Sequence, residues 1–474
     1  VGDAFYPFQL DGSEWLANRT HALLADEPGL GKSAQIVRGA DLVGATTNLI
    51  IPPAGVRKGW EAQIKKWSMF DADINLCTTG DALPRKNAWN ILNYDLLGRG
   101  FIKSAKRPSA WLQKWIDFKW DMVAADEAHK LKEQEALRTI AILGTNFSAG
   151  LVHSAKRFWP LTGTPMPNHP GELFTIMNAI KANPEGDTQE TWNYKYCLLK
   201  HEGFRKGKPY AAKPQSAAQL NIILKGTMMR RYKSFELPGL PKLRIDDMPV
   251  PEVKINLAEF FEDATISRKS VEDKIRDQEA FVRDAWRRSI ASDGEMTTAD
   301  FVQLLEDMEG GVSLYRRWLG AVKAASMIDT VISELESGAV KKLSLICYHS
   351  QVIEFFKLRL QKFGVSVIQG GVSMPKRQQI IMDFCEPDGP RVNIGQIIAM
   401  GEGTDGLQKA CHEQIIVEPA WSPYLNAQAA CRLHRIGQGR PVRCRMARLA
   451  DTLDDYISEV LTRKTRDIAL IVDG

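Results

Sequence analysis

The chain lacks any run close to the roughly 20 consecutive apolar residues that a membrane-spanning helix needs, so no membrane partner is expected. Its seven cysteines, Cys77, Cys197, Cys347, Cys385, Cys411, Cys431 and Cys444, contain no CxxC pair. An odd, scattered set in a long chain reads as reduced thiols rather than a disulfide framework. Cys411-His412 with Cys431-x-x-His434 is the nearest approach to a zinc set, and it is too loosely spaced for one. A basic stretch followed by an apolar one is also missing at the start, where Asp3 and Asp11 stand instead, so no signal peptide is read there. Charge of one sign is scarce: 62 Lys and Arg against 57 Asp and Glu leave a net +5, too little by itself to argue for a nucleic-acid partner. Low-complexity tracts are lacking as well. What remains, 44% hydrophobic and 25% charged residues, is the balance of a globular protein and excludes a mainly disordered chain. At roughly 100–200 residues per domain, 474 residues make about three folding units.

Short apolar runs alternate with helical patterns in both halves. His21–Ala25, Asn48–Ile51, Ile74–Cys77, Ile91–Tyr94, Met122–Ala125 and Phe158–Thr162 read as buried strands. Val56, Trp60, Ile64 and Trp67 make one helical stripe between the second and third. Strand, helix, strand with short connections implies α/β architecture with a parallel sheet covered on both faces. Pro238, Pro241, Pro249 and Pro251 then cluster in what reads as an extended connector. No proline follows from Glu252 to Met374, and charged helical patterns are expected over Asn256–Arg288 and Thr298–Met308. The alternation resumes at Leu343–Tyr348, Val365–Ile368, Val392–Ala399, Gln414–Val417 and Val442–Leu449, with helices expected at Val352–Phe363 and Pro375–Phe384.

Three segments carry chemistry. Ala25–Ser33 reads ADEPGLGKS and joins a strand to a helix, so its backbone N–H groups would cradle phosphates, with Lys32 on the terminal phosphates and Ser33 on Mg²⁺. Asp126–His129 reads DEAH at a strand end, where Asp126 would hold the metal and Glu127 would polarise the attacking water. Gln428–Gln438 reads QAACRLHRIGQ, and Arg432 and Arg435, three apart, would share a face on a helix and stabilise charge on a transferred phosphoryl group.

These segments, taken in order with FQ, LIIPPAGVRKGW, ILNYDLL, LTGTPMPN and the RR-K of Arg230, Arg231 and Lys233, resemble the Swi/Snf family of superfamily 2 ATP-dependent DNA translocases. The likeness runs from about Tyr6 to Arg448. YPFQ at the start, the stretch from Cys197 to Lys242 and LGAVKAA at Leu319–Ala325 are most similar to the compact annealing-helicase and fork-remodelling branch.

The resemblance implies two RecA-like parallel-sheet lobes with helical insertions and a nucleotide site in the interlobe cleft. It divides the chain into residues 1–237, an ATP-binding lobe; 238–340, a connector with a helical segment; and 341–474, the second lobe. ATP and Mg²⁺ are the implied cofactors. Gln9 matches the adenine-reading glutamine; Asp26, Glu27, Gly29, Leu30, Gly31, Lys32 and Ser33 match the phosphate loop. Ser33 and Asp126 match the metal ligands, and Lys32, Asp126, Glu127, Arg432 and Arg435 the catalytic set, with Arg435 the arginine finger. Thr162–Thr164 resembles the segment that couples nucleotide state to DNA contact. In the second lobe Gly403, Asp405 and Gln428 complete the nucleotide set, although Ala399–Gln408 departs from the family's glycine-rich segment. Sequence-nonspecific contacts to duplex or forked DNA fall to Arg57, Lys58, Asn93, Thr164, His349, Ser350, Gln369 and Gly370. Arg230, Arg231 and Lys233 are further candidates, and the role of Trp421 stays open. The expectation is thus a monomeric motor that moves along duplex DNA without processive strand separation, aimed by unidentified partner proteins. It would work inside a cell, in a bacterial or phage-infected cytoplasm rather than a nucleus. The alternatives are a conventional DNA or RNA helicase and a catalytically dead nucleic-acid scaffold.

Overall fold

The computed structural model describes residues 4–102, 107–145, 147–183, 186–200, 207–256, 260, 268–291, 313–400 and 405–473. The chain forms two compact units, Val1–Gly239 with Arg466–Gly474, and Leu240–Thr465.

In the first unit, β2 (Asn48–Ile51) lies between β4 (Trp89–Ile91) and β5 (Met122–Ala125), with β3 (Ile74–Leu76) outside β4, all parallel. Single parallel bridges carry the sheet on from Val123 and Asp126 to Phe158 and Leu161, and from there to His21 and Leu24. Beyond these, β1 (Leu23–Leu24) pairs with β6 (Met228–Met229). Phe158–Thr162 is therefore held by bridges rather than a full ladder, as short as its apolar run allows. Successive strand residues face opposite sides, so Leu49, Ile51, Val123 and Ala125 join one core while Ile50, Ile91, Met122 and Ala124 join the other. Both faces are thereby covered, the second by Ile36, Val37, Trp60 and Ile64 of two helices. The chain end belongs to this unit: the Asn221 amide donates to the Ile471 carbonyl (2.8 Å) and the Ala212 N–H to Asp467 (3.1 Å).

The second unit holds a six-stranded parallel sheet in the order β7 (Leu243–Pro249), β12 (Val442–Arg448), β11 (Glu413–Ile416), β8 (Leu343–Cys347), β10 (Val392–Gln396), β9 (Val365–Ile368). Both sheets are the helix-covered parallel kind expected of RecA-like lobes.

The boundaries differ from the three-part expectation. The proline-rich stretch contains the edge strand β7, hydrogen-bonded to β12 along its whole length, and Pro249 sits at its last position, where an edge strand tolerates a missing N–H. The helix Ser313–Glu336 buries Leu319, Val322, Ile328 and Val331 in the second unit's core, so 240–340 is part of that unit. Of the helix expected over Asn256–Arg288, the part from Arg268 forms and runs on to Ala291, Asn256 and Phe260 are not helical, and 257–259, 261–267 and Thr298–Met308 lie outside the described residues. Ile91–Tyr94 is shifted: the strand ends at Ile91 and Tyr94 opens a helix.

Candidate nucleotide-hydrolysis site

The phosphate loop leaves β1 and ends where the helix Lys32–Leu42 begins. Gly29 (φ 96°) and Gly31 (φ 75°) turn it through left-handed backbone. A side chain at Gly31 would also collide with Gln9, whose Nε2 lies 2.3 Å from the would-be Cβ. The first N–H groups of a helix have no carbonyl of a preceding turn to bond, so those at Lys32 and Ser33 offer an anion site with the positive end of the helix dipole behind it. The Lys32 ammonium donates to the Asp26 carbonyl (2.7 Å), poised at the loop. Burial lowers its pKa, while Glu127, Asp26 and Asp126 pull the other way. Gln9 is buried against this loop, donating to the Leu30 carbonyl (3.1 Å) and accepting from the Tyr6 N–H (3.1 Å).

The Asp26 carboxylate, expected in the nucleotide set, is taken up instead by partners within the protein. It is fully buried behind the loop, accepting from Arg231 Nε (3.0 Å) and Nη2 (2.5 Å) and from the Gln35 amide (2.9 Å). Arg231 is correspondingly committed to that carboxylate, to Gln35 and to the Phe8 carbonyl, which removes it from the DNA-contact candidates. Arg230 donates to the carbonyls of Ala25 (2.9 Å) and Gly163 (3.2 Å) and pairs with Asp473 (2.8 Å). The Glu27 carboxylate accepts from the Lys233 N–H (2.7 Å). The basic pair thus anchors the loop from behind.

Asp126 leaves the end of β5, at the same sheet edge. Its Oδ2 accepts from Trp60 Nε1 (2.8 Å), its Oδ1 from the Glu127 N–H (2.9 Å), and its carbonyl from the Tyr94 hydroxyl (2.7 Å). Burial and then Glu127 push its pKa upward against Trp60 and Lys32, as for two carboxylates short of positive charge. A divalent cation beside the pair would supply that charge. Glu127 holds a left-handed backbone (φ 51°), a conformation that costs a non-glycine residue about 1–3 kcal/mol and persists where surrounding structure fixes it. His129 Nδ1 lies 3.3 Å from the Glu127 carboxylate and 3.0 Å from the Thr162 hydroxyl. That hydroxyl accepts from the Thr164 N–H (3.1 Å), so the Glu127 carboxylate is linked to the LTGT segment.

In the second unit, the helix Pro423–Ala430 stops before the two arginines, so they lie on the turns that follow and not on a shared helix face. Arg432 is buried; Arg435 donates to the Cys431 carbonyl (3.2 Å) and pairs with Asp405 (2.9 Å), which is itself largely exposed. The structure thus brings two predicted residues together as partners. Gln428 is buried and its amide donates to Tyr424 (2.8 Å). Gly403 lies outside the described residues.

The proposed DNA contacts divide. Lys58 is exposed, whereas Arg57 donates to the Cys77 carbonyl (2.9 Å) and to Asn93 (3.3 Å), itself buried. The Thr164 hydroxyl is buried without a partner among the described residues. His349 pairs with the buried Glu418 (2.6 Å), and Glu418 also accepts the N–H groups of Tyr348 and His349, fixing the turn into the helix that starts at Ser350. The Gly370 N–H donates to Gln396 (3.0 Å), and Arg377 donates to the Gln369 carbonyl (3.4 Å). Arg316, over Tyr348 at 4.1 Å and Trp421 at 5.7 Å, gives Trp421 a packing role. Glu418 went unread in the sequence because a lone glutamate before a proline carries no spacing signal. Trp60 and Tyr94 were read as helix stripe and strand; the bonds they make to Asp126 cross 66 and 32 residues.

The family model described as the SNF2-related domain matches residues 8–246. The chain is 26% identical over 474 residues to the SWI/SNF-related matrix-associated actin-dependent regulator of chromatin subfamily A-like protein 1 of Xenopus tropicalis, covering 98% of this chain and 45% of that protein. It is 25% identical over 475 residues to the DNA annealing helicase and endonuclease ZRANB3 of Bos taurus, covering 99% of this chain and 40% of that protein. A solved Sulfolobus solfataricus SWI2/SNF2 ATPase core in complex with dsDNA aligns at a TM-score of 0.42 and 18% identity, over 99% of this chain and 93% of that one. The chain spans less than half the length of those curated relatives. They are vertebrate proteins, one named as a chromatin regulator, so the preference for a bacterial or phage-infected cytoplasm over a nucleus is unsupported and is corrected here.

Proposed function

Because the chain belongs to the SNF2-related domain family, we propose that it is an ATP-hydrolysing motor that moves along duplex DNA without processive strand separation. The observation that carries this reading is the convergence at one sheet edge of the phosphate loop, Lys32 and the Asp126–Glu127 pair. Lys32 and the N–H groups at the helix start bind the phosphates. Ser33 and Asp126 would hold the Mg²⁺, which screens phosphate charge when bound. Glu127 takes the proton of the attacking water, and its fixed backbone keeps the carboxylate aimed. His129 and Thr162 carry the state of Glu127 toward Thr164, whose buried, unpartnered hydroxyl stands ready for a partner. The resemblance gives Arg435 the role of stabilising charge on the transferred phosphoryl group, and its guanidinium is already oriented by Asp405. Duplex contacts would go to phosphates and be indifferent to base sequence.

Two substrates test the reading. A triplex whose third strand is displaced only by a duplex tracker should lose that strand in the presence of ATP, while a tailed duplex should stay paired. Unwinding of the tailed duplex without triplex displacement would instead identify a conventional helicase.

A further inference from the structure

Four parallel strands of the second unit begin at one cleft of about 540 Å³. Lys341 and Lys342 lead into β8, Arg391 into β10, His412 into β11 and Arg440 into β12, with Lys409 beside them. Because these strands run the same way, the cleft lies at the N-terminal edge of the sheet. His349 and Gln396, at the strands' C-terminal ends, occupy the opposite edge.

The lining carries these six basic residues and no Asp or Glu. Two of them build the cleft: Lys342 Nζ donates to the carbonyls of Phe384 (2.5 Å), Glu386 (2.8 Å) and Pro390 (3.1 Å), and Arg391 to those of Lys341, Leu335 and Val340. Carbonyl oxygens fix these cations without cancelling their charge. Lys341, Lys409 and Arg440 are exposed, and none forms an ion pair among the described residues. Burial, and then the nearby Arg440, hold His412 below its usual pKa. Gln438, the last residue of the HRIGQ motif, shapes the wall: its amide donates to the Cys411 carbonyl (3.0 Å) and accepts from the Arg440 N–H (3.0 Å).

We propose that this cleft is a second phosphate-binding surface, which engages the backbone of nucleic acid at the sheet edge opposite His349 and Gln396. It rests on the reading of the chain as a DNA motor. Four adjacent strand entries at 4.7–4.9 Å spacing extend over about 14 Å, along which one strand of a duplex presents about four phosphates. Cations spread along that length suit a row of phosphates better than a single one.

The test measures binding of the full chain to a labelled duplex across salt concentrations. Lys341→Glu, Lys409→Glu and Arg440→Glu together should weaken binding and lower the slope of log affinity against log salt by about 2–3, at about 0.9 for each phosphate no longer neutralised. The charge-conserving set Lys341→Arg, Lys409→Arg and Arg440→Lys should keep the wild-type slope. Unchanged binding and slope in the reversed variant, with the wild type binding duplex, would overturn this proposal alone. A wild type that does not bind duplex at all would overturn the motor reading with it. Calorimetry with inorganic tripolyphosphate separates the sources: loss of that binding with duplex binding intact would make this a site for free phosphates and contradict the proposal.

Discussion

Arg231 and Asp26 show how the loop Ala25–Ser33 is held from within the protein. Both Asp26 oxygens are taken by Arg231 or Gln35 in a site closed to solvent, so removing the arginine strands a buried carboxylate. Arg231→Ala should therefore destabilise the first unit by about 3–5 kcal/mol, read as a lowered urea midpoint, whereas a change within 1 kcal/mol would show the pair to be dispensable. The residues proposed to meet the phosphates should behave differently. Lys32→Ala should weaken ATP binding about 10- to 100-fold through loss of about 1.5–3 kcal/mol of charge-assisted bonding. Glu127→Gln should keep binding while turnover falls about 10²- to 10⁴-fold. Nucleotide titration beside phosphate release distinguishes the two, and equal loss of binding in both variants would contradict the division of roles. Lys32, Ser33, Asp126 and Glu127 were legible as candidates because each stands in a local motif whose chemistry needs those types at that spacing. The brace by Arg231 was not, because its partner lies 205 residues away and a basic pair after a strand reads equally well as a nucleic-acid contact.

Among the elements, Asn48–Ile51 and Met122–Ala125 match their expected bounds as strands buried on both faces, and Val365–Ile368 matches as an edge strand of alternating burial. β7 was hidden because this edge strand has no buried residue and ends in proline. The helix before Arg432 was overextended because helical spacing continues in the sequence after the backbone has turned at Cys431. LGAVKAA, legible only as a likeness, now has causes: a Cβ at Gly320 would meet Glu418 Oε1 at 2.2 Å, and Lys323 forms a buried pair with Asp454 at 2.9 Å. Glu418 also carries a pH prediction. Burial alone would raise its pKa, but the bonds from His349 and Tyr348 lower it below the usual glutamate value. A depressed carboxyl contributes stability above its unfolded pKa of about 4.3, and that stability is lost as pH falls through the lower folded value. Hydrogen exchange at Tyr348 and His349, after correction for intrinsic rates, should therefore lose protection as the pH drops below about 4. Glu418→Gln should abolish that dependence; an unchanged profile in the variant would assign it to another group.

For the whole molecule, the two parallel-sheet units and the family were legible because strand, helix and motif order repeat along the chain. The division at Gly239 and the return of the C-terminal residues to the first unit were not, since they depend on Asn221, Ala212 and Arg230 meeting a segment some 240–260 positions later. The central claim is that these parts make an ATPase driven by duplex DNA. Phosphate release by the full chain, measured with and without a duplex of arbitrary sequence, tests it most directly. The account predicts hydrolysis that rises when duplex is added, is indifferent to its base sequence and is lost in Glu127→Gln. Hydrolysis at the same rate with and without DNA, or equal rates in Glu127→Gln, would contradict it.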